Sequence, residues 1–164
     1  MTLFQAVLMS AGFLCSLVAG LLFAFAAVVM PGIRRLGDGD FIRSFQVMDR
    51  VIQNNQPLFV VVWVGSALAL LMAGVLGVWD LRGANRLLLV TATLVYLLGV
   101  QLPTITINIP LNNELQKLDV STMNDTTRKS ARDHFEPRWN RWNVIRALCA
   151  SLASILLVLL LLKV

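Results

Sequence analysis

The sequence has little of what soluble enzymes usually work with. Its 164 residues include one histidine, one tyrosine and two cysteines, and only 14% of them are charged. A single imidazole cannot build a histidine-rich metal centre, and Asp133-His134-Phe135-Glu136 lacks the repeated spacing of a metal motif, so no metal is expected. Haem would want axial ligands inside the membrane, and no histidine accompanies the methionines at 9, 30 and 72, so no cofactor is expected either. Cys15 and Cys149 are too few for a disulfide framework and fall at different depths, which leaves them as small packing residues. There is no CxxC pair, no glycine-rich phosphate loop after a strand and no Ser/His/Asp set, which removes the redox-dithiol, nucleotide-binding and hydrolase classes. Nor is there a basic soluble module with stacking aromatics, so nucleic acid is not an expected partner.

What is there is apolar. Hydrophobic residues make up 57% of the chain, against about 45–50% in ordinary soluble domains. Four runs, Phe4–Val29, Leu58–Trp79, Leu87–Ile107 and Val144–Leu162, are long enough to cross a bilayer, and Arg146 is the one charged residue inside them. The pattern predicts an all-α, four-helix transmembrane bundle forming a single domain over residues 1–164. Its spanning helices are expected at about 4–29, 58–79, 87–107 and 140–162, with loops at about 30–57 and 108–139. The first run lacks the basic leader of a secretory signal and is too long for one, so it reads as a retained helix. Of the 14 Lys and Arg residues, only Arg82, Arg86 and Lys163 fall on the side opposite the long loops. The positive-inside rule therefore puts both loops in the cytoplasm and both termini outside, as in a bacterial inner membrane. Anionic lipid is the expected counterion for the net charge of +5.

Along the chain, Ala11, Gly12, Ser16, Ala19, Gly20, Ala24 and Ala27 give the first helix small faces for close contact, which also leaves self-association open. That helix is expected to end at Met30-Pro31-Gly32. Asp40 then reads as the N-cap of a short amphipathic interfacial helix, with Phe41, Phe45, Met48 and Ile52 opposite Arg43, Gln46, Arg50 and Gln53. The turn at residues 80–85 is short, so the second and third spanning helices must be antiparallel neighbours.

The most informative stretch is Gln101–Glu114. Gln101, Thr104, Asn108 and Asn112 fall on one helical stripe, and Pro103 and Pro110 free backbone carbonyls beside it. Lipid offers such amides no partner, so the stripe is expected to face other helices or a cavity. Residues 115–126 read as a turn, 127–135 as a short helix, and Pro137 as part of the first turn of the last helix. There Arg138, Trp142 and Arg146 share one stripe, and Trp139 and Asn143 the adjoining one.

Three stretches carry a resemblance: V-M-P-G-I-R-R-L with F-Q-V-M-D-R-V-I-Q-N-N-Q-P-L-F, then T-I-T-I-N-I-P-L-N-N-E-L, then R-W-N-R-W-N-V-I-R. Spaced this way, they resemble the anthrone oxygenase-like family of small four-helix membrane proteins. The resemblance implies a helical bundle and, for the named members, an oxygenase that turns an anthrone into an anthraquinone with O2 and without a recognised cofactor. Val144 stands where a histidine would be expected after Trp142-Asn143.

Beside that resemblance, each site residue has two readings. Gln101, Thr104, Asn108, Asn112 and Asn143 either tie helices together or bind an oxygen of a small aromatic ligand. Trp139 and Trp142 either form an aromatic belt or wall the pocket. Arg146, inside the boundary, is a functional residue by default, with Asn108, Asn112, Glu114, Asp49 or a ligand oxyanion as partner. His134, Glu114 and Asp49 compete as the base. Two non-oxygenase readings also remain: a small-metabolite transporter, which usually needs an intramembrane carboxylate, and a non-catalytic module binding lipid or a partner protein.

Overall fold

The computed structural model describes residues 1–164 and contains helices only. Four of them, α1 (Leu3–Ile33), α3 (Pro57–Asp80), α4 (Gly83–Gln116) and α5 (Asp125–Leu161), are long and apolar enough to cross a membrane. The fifth is α2 (Asp38–Gln53). The chain is an all-α, four-helix transmembrane bundle of an integral membrane protein. In section, α1 packs on α3 and α5, α4 packs on α5, and the α3–α4 seam that closes the ring is the loosest. The end of the bundle that carries α2 and the α4–α5 turn is called the basic end here.

Three prolines shape the helices. A proline ring collides with the carbonyl four residues back in a regular helix. Before each one the chain inserts a π turn: the N–H of Met30 bonds to Phe25 O, that of Leu102 to Leu97 O, and that of Ile109 to Thr104 O. Pro31, Pro103 and Pro110 follow directly, and the helices run on. Hence α1 continues to Ile33 rather than ending at Met30-Pro31-Gly32, and α4 runs well past residue 107.

The last helix also differs from expectation. Asn124 accepts from the Thr127 N–H at 2.9 Å and caps a single helix that contains Pro137. Asp133, whose carbonyl loses its donor to Pro137, is exposed, as is Pro137 itself, so water can take that carbonyl. In the preceding turn the Ser121 hydroxyl and N–H both donate to Asp119, at 2.6 and 3.0 Å, and hold its carboxyl below the usual carboxylate range.

α2 is capped by Gly37, not Asp40, and its first turn holds Asp38 and Asp40, which suit the positive end of the helix dipole. Gln46 is buried rather than solvated, because its amide donates to Leu115 O and Leu118 O at 2.8 and 3.0 Å. Arg132 locks α2 to α5. Its guanidinium binds Glu136 at 2.7 Å, Asp38 at 3.0 Å and the carbonyls of Arg34 and Leu36 at 2.7 and 2.9 Å, and it lies 4.4 Å from the Phe41 ring centroid.

Two hydrophobic cores result. The larger fills the membrane part around Leu8, Val18, Leu70, Leu89, Val100 and Leu157, with Ala11 and Ala19 of α1 inside it, while Ser16 and Gly20 face outward. The smaller, at the basic end, holds Phe41, Phe45, Leu111, Leu115, Phe135 and Trp139. Cys15 and Cys149 are both free thiols. Close approach of α4 to α5 depends on Gly99, where an added Cβ would lie 2.5 Å from Cys149 Sγ. Gly99→Ala is therefore expected to destabilise the protein by about 1–3 kcal/mol, read as thermal unfolding in detergent, with partial recovery when combined with Cys149→Gly.

Candidate functional site

Between the two cores lies a cavity of about 150 Å³. Its walls come from every helix: Leu21, Leu22 and Phe25 of α1, Phe45, Met48 and Ile52 of α2, Phe59 and Trp63 of α3, Ile109 of α4 and Trp139 of α5. Six polar side chains also line it, namely Asp49, Thr104, Asn108, Asn112, Asn143 and Arg146. The π turns matter here, since Phe25 belongs to one and Thr104 and Asn108 to another, so the widened turns help aim these side chains inward.

Arg146 is 4% exposed. One terminal nitrogen donates to Thr104 Oγ1 at 3.0 Å and the other to Asn143 Oδ1 at 3.1 Å, while Nε is buried with no partner. The Thr104 hydroxyl itself donates to Val100 O of its own helix at 2.7 Å, and Asn143 Nδ2 donates to Leu22 O of α1 at 3.1 Å, so both acceptors are held in place. The guanidinium lies 5.8 Å from the Trp139 ring centroid.

Asp49 is equally buried and lines the same cavity. Three amides converge on its carboxylate: Asn112 Nδ2 at 2.8 Å, Gln116 Nε2 at 3.0 Å and Gln53 Nε2 at 2.7 Å. Asn112 joins it to α5 by accepting from Trp139 Nε1 at 2.8 Å. Asn108 reaches Trp139 O only at 3.5 Å, and its own Oδ1 is buried without a donor. The ion pairs of the molecule all lie elsewhere and none includes Arg146 or Asp49. The cavity thus holds a buried cation and a buried carboxylate, each bound by neutral groups rather than by the other. Buried charges without countercharge are costly and are seldom retained for packing alone.

A profile of the anthrone oxygenase family matches residues 45–156, which takes in Asp49 and every other polar residue of the cavity. The chain belongs to the anthrone oxygenase family. No curated protein and no solved structure matches it. In this family member, the structure brings together Thr104, Asn108, Asn112, Trp139, Asn143 and Arg146 from the residues that the sequence singles out. Gln101 stands just outside the cavity, accepting from Trp63 Nε1 at 3.0 Å. Trp142 is half-buried and does not line the cavity. His134 and Glu114 lie apart from it in a surface groove, 3.7 Å from each other and both largely exposed.

Sequence reasoning left two groups of residues out of the site. Asp49 appears there only as a rival base, yet it falls four residues after Phe45 and three before Ile52. An acid within the apolar stripe of an amphipathic helix is the signal that marks it. Phe25, Phe45 and Trp63 have no such signal, because an aromatic facing a cavity and one facing a core look alike in sequence.

A guanidinium kept for binding can be removed without collapse. Arg146→Met loses two hydrogen bonds but also the desolvation cost of a buried charge, so its unfolding free energy is expected within about 1 kcal/mol of wild type. A loss of about 3 kcal/mol or more in a detergent unfolding assay would make Arg146 a structural strut.

Proposed function

We propose that this protein is a cofactor-independent oxygenase acting on a polycyclic phenol or enol held in the cavity between Arg146 and Asp49. The observation that carries the reading is a pair of buried polar atoms without partners on two residues that line one cavity, Arg146 Nε as donor and Asn108 Oδ1 as acceptor. A ligand that presents both an oxygen acceptor and a hydroxyl donor satisfies them together. Family membership supplies the reaction class.

The residues then divide as follows. Asp49 takes a proton from the activated methylene of the substrate, and the enolate oxygen that results is stabilised by the fixed guanidinium of Arg146. The carbanion passes its electrons to O2 and a C–O bond forms; the peroxide anion takes the proton back from Asp49, and the resulting hydroperoxide loses its remaining C–H proton and hydroxide as water while the O–O bond breaks and the second carbonyl appears. Substrate and O2 thereby give quinone and water. Asn112 acts as a positioning residue, since it holds both Asp49 and the Trp139 indole. The apolar walls exclude water from the anion.

A cavity of about 150 Å³ takes roughly one aromatic ring, so a three-ring substrate requires the Met48 and Phe59 side chains to swing aside. The same reading places the basic end in the cytoplasm of a bacterial inner membrane, against anionic lipid. Self-association through the outward Ser16–Gly20 face belongs to it as well.

The test is O2 uptake by purified protein in nanodiscs with a hydroxylated anthrone, matched against quinone formed. Wild type is expected to consume one O2 per quinone above the spontaneous rate. Arg146→Met and Asp49→Asn are each expected to lower kcat by roughly 10²–10³. His134→Ala and Glu114→Gln, which lie outside the cavity, are expected to leave it near wild type. Wild-type protein with no O2 uptake above background would overturn the reading.

A further inference from the structure

Five of the six polar residues of the cavity, Asp49, Thr104, Asn108, Asn143 and Arg146, are buried, as are Leu22, Phe45 and Trp139 in its walls. Of the lining residues that reach the surface all but the half-buried Asn112 are apolar; Leu21 and Phe25 are half-buried on α1, Met48, Ile52, Phe59 and Trp63 are half-buried, and Ile109 is 44% exposed. Met48, Ile52, Phe59, Trp63 and Ile109 lie where α2, α3 and α4 meet, beside the loosest seam of the ring. α2 packs against α5 and the end of α4 but makes no substantial contact with α3, to which it is joined by residues 54–56.

Much of the rim around this mouth is apolar too, the exposed Gln53, Asn54 and Asn55 between α2 and α3 being its polar part. On α3, Leu58 is 72% and Val61 63% exposed; on α4, Leu102 is 50% and Ile105 63% exposed. On α2, Val47 and Val51 are exposed one turn apart. A mouth that opened to water would carry a polar rim, because exposed apolar patches of this size are rare on water-facing surfaces. Phe59 and Ile109 also lie near the basic ends of their helices, which puts the mouth at the level where headgroups give way to acyl chains.

We propose that the cavity is loaded sideways from the bilayer, through the α2–α3–α4 opening, and that its ligand is a flat amphiphile dissolved in the leaflet at the basic end, entering polar edge first. This rests on the cavity being a ligand site, as proposed above, but not on turnover. An apolar ring system passes Phe59 and Ile109 without losing its lipid-like surroundings. Its oxygens then exchange headgroup contacts for Arg146 and Asn108.

The experiment uses the full-length protein in nanodiscs, with Cys15→Ala and Cys149→Ala as background and a nitroxide spin label at Ile109→Cys or Phe59→Cys. Accessibility is compared between O2, which concentrates in lipid, and a water-soluble nickel chelate. Both labels are expected to be relaxed by O2 and shielded from nickel. Free access of nickel to either label would overturn lateral loading while leaving the oxygenase reading intact. In parallel, 1,8-dihydroxyanthraquinone is used as a non-reacting probe, and its binding is followed by quenching of tryptophan fluorescence. Val61→Phe, on the rim but not in the cavity wall, narrows the mouth and is expected to slow association and dissociation of the probe together by about tenfold, with Kd little changed. Unchanged rates in that variant would overturn the route. A wild-type protein that binds no probe at all would overturn both this proposal and the site reading it rests on.

Discussion

The arrangement of this bundle turns on one guanidinium that has been taken into the membrane-spanning part without a countercharge. Arg146 is held by a threonine hydroxyl and an asparagine carbonyl, and each of these is fixed by a further bond to a backbone carbonyl. Neutral dipoles solvate the charge but do not cancel it, so its field remains available to an anion in the cavity. Much of the surrounding architecture serves that condition. The π turns before Pro31 and Pro110 help aim Phe25, Thr104 and Asn108 at the cavity, and α2 closes it at the basic end.

Closure by α2 depends in turn on Arg132, a second arginine used in the opposite way. It is surrounded by carboxylates and carbonyls, stacks on Phe41 and leaves no buried N–H without a partner. The contrast between the two explains why one reads as scaffold and the other as site. A charge whose partners are all within the protein holds elements together, whereas a charge with a buried free N–H leaves room for something else.

The bundle itself was legible in the sequence, because four apolar runs separated by basic loops permit few other folds in lipid. The family was legible from Asn108-x-Pro110-x-Asn112 and from Trp139 with Trp142-Asn143-x-x-Arg146. Less legible was the phase of α4. A stripe read at constant helical pitch groups Gln101 with Thr104, but π turns at Leu97–Gln101 and Thr104–Asn108 break that pitch, and Gln101 turns to Trp63 instead. Asp49 was visible as an acid but not as a wall of the cavity, since its place there depends on how α2 docks onto α4 and α5. Pro137 signalled a helix start and is instead absorbed within α5 where its freed carbonyl faces water, a matter of exposure that spacing alone does not encode.

The most direct test of the central claim is a structure of the protein in nanodiscs with a hydroxylated anthraquinone bound. The expected result is a flat ligand in the cavity with one oxygen about 3 Å from Arg146 Nε and a hydroxyl within reach of Asn108 Oδ1. A ligand bound elsewhere, or an Arg146 that turns to pair with Asp49 in an otherwise collapsed cavity, would contradict it.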